Sequence, residues 1–308
     1  MTETLASISL VGVYSAMAVY AVAFVLYTLD LSRRAAPVPV AASTASGTTG
    51  GVTVLERPQP PARRSPRYLN AAVALTVVGW VLHVVSAVLR GVAAERVPWA
   101  NMFEFSLTAT AIIVGVYLAV QFWQDLRFLG AFVIGFVTIA LGIATVSFYV
   151  DVVPLPPALQ SAWLVIHVFV ASLATGFLGI GSAVSIVQLL KSRRSGSPRA
   201  LAALPDADAL ERIAYRLIVV GFVFWTFTLI AGAVWAERAW GRYWGWDTKE
   251  VWTFIVWVLF AGYIHARATR GWRGSRSAWL SIVGFTALVF NFTIVNLFFK
   301  GLHVYSGL

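Results

Sequence analysis

Apolar residues occur along this chain in long runs, separated by short polar segments. Eight of the runs approach the ~20 residues that a helix needs to cross the ~30 Å hydrocarbon core of a bilayer. They lie at 7–29, 70–89, 104–123, 128–149, 163–190, 214–236, 251–268 and 278–299. The pattern therefore predicts an all-α polytopic membrane protein with about eight transmembrane helices.

Composition supports the bilayer as the solvent of this protein. Of the 308 residues, 59% are hydrophobic and 12% are charged, and the mean hydropathy is +0.79, far from the range of soluble domains. Cysteine is absent, which excludes a disulfide framework, a thiolate metal site and a redox CxxC motif in this chain. Any thiol in its chemistry must come from a partner.

The formal net charge of +10 comes from Lys and Arg residues between the apolar runs, which indicates membrane topology rather than nucleic-acid binding. Most of them follow the odd-numbered spans, so both termini are predicted to be extracytoplasmic. These residues are Arg33, Arg34, Arg57, Arg63, Arg64, Arg67, Arg127, Lys191, Arg193, Arg194, Arg199, Arg212, Arg216, Arg267, Arg270, Arg273 and Arg276.

The chain divides into three predicted parts. Residues 1–30 form an N-terminal transmembrane anchor without the basic leader of a cleavable signal, and residues 31–67 form a disordered cytoplasmic linker rich in Pro, Ala, Ser, Thr and Gly. Residues 68–308 form the main transmembrane domain. Capping boxes are predicted from the spacing of Asp208 with Glu211 and of Asp247 with Glu250.

The four histidines fall into two layers. His83 and His265 lie within spans two and seven, whereas His167 and His303 lie at the predicted outer surface. A histidine in hydrocarbon is costly unless it is hydrogen-bonded or binds a ligand. A neutral imidazole bonded across helices explains each inner residue equally well, and a surface histidine needs no special explanation. Two imidazoles in each layer match six-coordinate haem iron better than zinc, although a pH switch or proton relay stays open.

A tryptophan-rich segment joins spans six and seven on the predicted outer side. Indoles mark membrane interfaces, but so many in one short loop also suit stacking on a flat porphyrin. The segment contains Trp235, Trp240, Trp244, Trp246 and Trp252.

Four motifs carry a family resemblance that covers the chain from Tyr68 onward. They are PWANMFEF at 98–105, WGRYWGWDTKEVW at 240–252, YIHARATRGWRG at 263–274 and VNLFFKGLHVYSG at 295–307. In these motifs the chain resembles the haem-handling proteins with a tryptophan-rich WWD domain, and among them the CcsA (CcsB, ResC) subunits of System II cytochrome c biogenesis. One departure is Thr248, where that family usually has proline.

The resemblance implies a function and a set of ligands. Haem b would be a transported substrate with two candidate sites, and its iron would be bound axially by His83 and His265 within the membrane and by His167 and His303 outside. The WWD loop at 237–252 would hold the outer haem through Trp240, Trp244, Trp246 and Asp247. Haem would be presented there for covalent attachment to the CxxCH motif of apocytochrome c.

The resemblance also implies partners and a location. The chain would be a subunit of a holocytochrome c synthase (haem lyase) in the bacterial inner membrane, with its active face extracytoplasmic. It would work with a ResB-type (Ccs1) subunit, while thiol-disulfide reductants act on the apocytochrome. No catalytic residue of its own is assigned, and no nucleic acid is expected. The alternatives are a System I haem handler of the CcmC or CcmF type, a b-type-haem electron-transfer membrane protein, and a haem-free transporter.

Overall fold

A computed structural model describes residues 2–35, 67–153, 155, 157–192, 204–269 and 271–303, and these residues contain helices and no strand. Short 3-10 turns at Arg127–Leu129 and Pro157–Leu159 precede α4 and α5. The α-helices are α1 (Thr2–Ala35), α2 (Arg67–Ala94), α3 (Met102–Val120), α4 (Gly130–Ser147), α5 (Ala162–Ser192), α6 (Ala207–Trp240), α7 (Thr248–Thr269), α8 (Ser275–Phe292) and α9 (Ile294–Phe298).

Eight helical segments in the described ranges are long and apolar enough to cross a membrane, which confirms the predicted number of spans. The last of them combines α8 and α9. Residues 31–35 of the predicted linker extend α1 and Arg67 opens α2, whereas residues 36–66 lie outside the described part of the chain. The predicted basic loop residues Arg57, Arg63, Arg64, Arg193, Arg194, Arg199 and Arg270 also lie outside it.

Helix α6 is longer than the hydrophobic run that predicted it. Its N-cap is Asp206, whose side chain accepts a hydrogen bond from the backbone N–H of Ala209 at 2.6 Å. The expected capping box of Asp208 with Glu211 is therefore wrong, because Asp206 takes the capping position and Glu211 turns into the protein. At the other end Gly241, with φ +70°, ends the helix in the left-handed conformation that glycine adopts without a steric penalty.

The bundle has two apolar cores that meet at α3. One core lies among α1 to α4 and includes Leu107 and Val114 of α3, and the second lies among α3 to α8 and includes Val116 and Val120. Helix α3 packs against α2, α4 and α5, which makes it the most enclosed of the spans. A smaller cluster at one end of the bundle contains Trp235.

That end of the bundle is called the outer end here, following the predicted topology, and the opposite end is called the inner end. The described residues of the outer end outside the spans are 95–101, 148–153, 155, 157–161, 241–247 and 299–303.

A buried carboxylate, Glu104 at the start of α3, joins several segments of the outer end. Its oxygens accept from Arg90 at 3.1 Å and from Arg96 at 2.6 Å, and from the backbone N–H of Ala100 at 3.0 Å. Arg90 and Arg96 also donate to the carbonyls of Val150 and Val153, which fixes the segment after α4. The α2–α3 connection and that segment are thus held by one carboxylate, as Asn101 caps α3.

Replacing Glu104 by Gln should lower the free energy of unfolding by about 3–5 kcal/mol, because two buried guanidinium groups would lose their counter-charge. The matched control is Asp125→Asn, which removes one carboxylate from the exposed pair with Arg127 and should cost at most about 1 kcal/mol. Unfolding of both variants in the same detergent measures the difference. Equal stability of the two variants would show that the Glu104 cluster does not brace the outer end.

Candidate functional site

His167 lies in the second turn of α5 and is fixed against α6. Its Nδ1 lies 3.0 Å from the backbone carbonyl of Thr228, so Nδ1 carries the proton and donates it. Gly232, one turn further along α6, lies against the imidazole, where a Cβ would collide with the ring. The arrangement leaves Nε2 of His167 as the nitrogen that can bind a metal ion.

His303 follows the last helix and is held by Asp247 at the start of α7. Its Nδ1 lies 2.8 Å from Oδ2 of Asp247, and the backbone N–H of Leu302 donates to Oδ1 at 3.1 Å. Gly301 lies so close to Asp247 that a Cβ there would collide with the carboxylate. As with His167, the hydrogen bond at Nδ1 leaves Nε2 free for a ligand.

The hydrogen bonds of Asp247 stabilise its charged form. The donated hydrogen bond from His303 is the main cause that lowers the pKa of Asp247 to about 2, and the backbone N–H groups of Leu302 and Lys249 act in the same direction. Asp247 is therefore a carboxylate at every physiological pH, and it orients the imidazole as second-sphere carboxylates do at metal sites.

Trp235 joins the two outer histidines. Its ring stacks on His167 with centroids 5.8 Å apart at 18°, and meets His303 edge-on at 5.5 Å. Trp240 contacts both Trp235 at 4.9 Å and His303 at 4.8 Å. The predicted haem-binding set does not include Trp235, because this residue precedes the WWD loop at 237–252. Its spacing from Thr228 and Gly232 on one face of α6 is the signal that places it beside His167.

The other two predicted tryptophans form a separate aromatic group. Trp244 meets Trp246 at 5.9 Å and Phe254 of α7 at 6.4 Å, both edge to face. Trp246 is 74% exposed and has φ +60°, an uncommon conformation for a bulky residue. The structure therefore brings together His167, His303, Trp240 and Asp247 of the predicted outer set, and it places Trp244 and Trp246 further along the connection.

That connection, residues 241–247, is braced by Glu250 in the first turn of α7. Glu250 accepts from the backbone N–H groups of Gly245 at 2.8 Å and Asp247 at 3.0 Å, and it pairs with Arg242 at 3.3 Å. Capping by the predicted pair thus forms, since Glu250 reaches back to the Asp247 N–H and the Asp247 side chain accepts from the backbone N–H of Lys249 at 3.3 Å. The Asp247 side chain also binds the C-terminal segment.

Lys249, in the first turn of α7, links this helix to the last span. Its Nζ donates to the backbone carbonyl of Asn291 at 2.9 Å and to Oδ1 of Asn296 at 2.5 Å. These contacts join α7 to the point where the last span changes from α8 to α9, and therefore to the segment that carries His303.

The two inner histidines occupy different environments. His83 is fully buried, with Nε2 2.8 Å from the carbonyl of Leu107 and Nδ1 3.4 Å from the hydroxyl of Tyr20. Its helix α2 packs against α1, α3 and α4, whereas α7, which carries His265, packs against α6, α8 and α9. His265 is exposed one turn from the inner end of α7. The structure does not bring this pair together as it does the outer pair.

The donors at the outer end fit haem iron better than a bare metal ion. Two imidazoles whose Nδ1 atoms are engaged would suit the axial positions through Nε2, and Trp235 and Trp240 offer flat apolar surface beside them. No group of three or more His, Cys, Asp or Glu suitable for a metal ion occurs within the described residues. The site is thus equipped for a cargo that brings its own equatorial ligands.

A search of solved structures finds the same fold. The structure titled "Cytochrome c Heme Lyase CcmF" matches with a TM-score of 0.65 over 94% of this chain at 16% identity, and this chain covers 46% of it. At that identity the match shows the fold alone.

Sequence comparisons are more specific. The family described as "Cytochrome C assembly protein" matches residues 99–303. Proteins named "Cytochrome c biogenesis protein CcsA" match from Trieres chinensis, at 34% identity over 76% of this chain and 88% of the relative, and from Gloeobacter violaceus, at 32% over 71% and 81%. The protein of that name from Chlamydomonas reinhardtii is 44% identical over 50% of this chain and 43% of its own. The chain belongs to the cytochrome c assembly family, among its CcsA members.

Proposed function

We propose that this multi-pass membrane protein binds haem between His167 and His303 at its outer end and presents it for covalent attachment to apocytochrome c. The observation that carries the proposal is the matched orientation of two imidazoles. Each donates its Nδ1 proton to a fixed oxygen, each is left with Nε2 for iron, and both contact Trp235. The names of the relatives support the same process.

Covalent attachment requires the haem vinyl groups and the substrate thiols to be positioned next to each other, and it needs no nucleophile from this protein. A cysteine thiol adds across a haem vinyl group: the sulfur bonds to one vinyl carbon, the hydrogen passes to the other, and the C=C double bond becomes single. No external oxidant or reductant enters that balance. This chain has no cysteine, so both thiols come from the CxxCH motif of the substrate, and the protein holds the haem edge in register.

We further propose that the outer end faces away from the bacterial cytoplasm in the inner membrane, in line with the basic residues at the inner end. Thiol reductants would keep the apocytochrome reduced there, and a ResB-type subunit would complete the synthase. Release would follow when the CxxCH histidine replaces one of the two protein imidazoles on the iron.

Iron binding by the inner pair, His83 and His265, stays a prediction, and for His83 it would require a change in hydrogen bonding. For His83 to bind iron through Nε2, the ring would have to give up its hydrogen bond to the Leu107 carbonyl inside a closely packed part of the bundle. His265 meets no such obstacle, because it is exposed. The proposal of haem binding therefore rests on the outer pair.

The outer pair is tested by the optical spectrum of the detergent-purified chain. The wild type should carry haem with a bis-histidine spectrum, and either His167→Ala or His303→Ala should lose that spectrum together with cytochrome c assembly. Trp279→Ala is a suitable control, because it changes an aromatic residue on α8 that is 47% exposed. Haem-free wild type from haem-replete cells would contradict the proposal. Normal cytochrome c in both histidine variants with haem still bound would favour an electron-transfer protein.

Asp247→Asn tests the carboxylate that orients His303. Because the pKa of Asp247 is lowered in the folded protein, its stabilising effect is complete above the unfolded pKa of about 4 and is lost as the pH falls towards 2. The difference in Tm between wild type and the variant should therefore shrink as the pH falls below 4. Asp151→Asn, an exposed carboxylate at the same end, should show little difference at any pH. A difference that keeps its full size down to pH 2 would contradict this account.

His83→Ala and His265→Ala separate structural from ligand roles in the inner layer. His83→Ala should reduce stability by about 2–4 kcal/mol, because it opens a cavity and leaves the Leu107 carbonyl with one fewer donor. His265→Ala should leave stability unchanged within about 0.5 kcal/mol. Thermal unfolding with haem quantification measures both effects. Haem loss from a stable His83→Ala protein would instead support an iron ligand at His83.

A further inference from the structure

An apolar cavity of about 190 Å³ lies at the outer end, between the α2–α3 connection and the start of α5. Most of its walls are aliphatic or aromatic, and Arg96 is the one charged residue of its described lining. Its lining includes Arg96, Val97, Trp99, Leu159, Leu164 and Val165.

The cavity adjoins the outer histidine site. Leu164, on its wall, is three residues before His167 on α5, so the two side chains are neighbours along one face of that helix. Leu159 and Leu164 also belong to the apolar cluster that contains Trp235, and Trp240 packs against the same cluster. A flat ligand held by His167 would therefore extend towards this cavity.

A surplus positive charge lies beside the cavity. Arg90 and Arg96 share the single carboxylate of Glu104, so the cluster carries two positive charges and one negative charge, a net charge of +1. All three groups are buried, with Arg96 9% exposed. Asp151 and Glu95 nearby are exposed, and neither forms a salt bridge within the described residues.

Arg96 retains donor capacity on the side chain that lines the cavity. Its terminal nitrogens bind Glu104 and two backbone carbonyls, but its Nε is buried and has no hydrogen-bond partner among the described residues. A buried net charge is destabilising in a protein interior. An anion in the cavity beside Arg96 would neutralise the surplus charge.

We propose that this cavity receives a carboxylate arm of haem, with a propionate on Arg96, while His167 and His303 hold the iron. The inference rests on the proposed function and adds an anion subsite to the outer site. It assigns the propionate to an arginine of the cavity wall rather than to the basic side chains that lie near Asp247 or His303 in sequence. Of those, Arg242 is paired with Glu250, Lys249 is bound to two asparagine residues, and Lys300 is exposed.

The test compares haem with haem dimethyl ester, in which both propionates are blocked. The full-length chain, purified free of haem, is titrated with each compound, and the Soret band reports binding. The wild type should prefer haem by about tenfold, as expected for one charge-assisted contact. Arg96→Gln should lose most of this preference while keeping the bis-histidine spectrum, and Arg96→Lys, which keeps the charge, should retain part of it.

Arg96→Gln is a workable variant because it leaves Arg90 and Glu104 as a neutral buried pair. Two controls address other charges at the outer end: Arg238→Gln removes an arginine that is 66% exposed, and Lys300→Gln removes the exposed lysine near His303. Both should keep the wild-type preference. If Arg96→Gln does not fold, Val165→Trp fills the cavity from α5 and should reduce the preference in the same way.

Equal binding of the two compounds by the wild type would overturn the subsite while leaving the haem site intact. A preference lost in Lys300→Gln but kept in Arg96→Gln or Val165→Trp would also overturn it. Anionic phospholipid that co-purifies with the wild type but not with Arg96→Gln, without any preference for haem, would assign the cavity to lipid instead. If neither compound gives a bis-histidine spectrum, the proposed function itself fails.

Discussion

The absence of water from the bilayer core is the constraint on which this structure depends, since every buried polar group must find its partner inside the protein. Hydroxyl groups within the spans find a partner in their own helix. Thr76 and Thr145, for example, donate to backbone carbonyls one turn earlier. Among the described residues, buried carboxylates find their partners near helix ends. Glu104, Glu211 and Glu250 each pair with arginine and each accept a backbone N–H from a connecting segment. The same contacts that neutralise these charges therefore fix the connections between spans.

This pattern explains why the outer site is well defined although part of it lies in irregular backbone. Glu250 holds the connection after α6, Asp247 holds the segment after α9, and Lys249 ties α7 to the last span. Three neighbouring residues at the start of one helix thus position two connections and a histidine. The supporting groups surround the outer histidines in the way that outer-sphere groups support metal sites.

Much of the fold followed from the sequence because hydrophobic length is a strong signal in a membrane protein. The eight runs predicted eight spans, and the errors lay at helix ends, where polar residues such as Asp206 and Arg33 continue or cap a helix beyond its apolar part. The outer histidines were predicted from topology and resemblance. Trp235 was missed because its role depends on which face of α6 meets α5, and the hydrogen bonds of His83 depend on the packing of three helices, which no local pattern records.

The anchoring of the two outer imidazoles is unequal. His167 belongs to a 31-residue helix and lies against Gly232 of its neighbour, so it cannot move without displacing a span. His303 follows a short helix and is held chiefly through one carboxylate. The two histidines therefore differ in how far they can move: His303 can shift with a short segment, whereas His167 can shift only with a whole span. The outer site thus has one rigid side and one adjustable side.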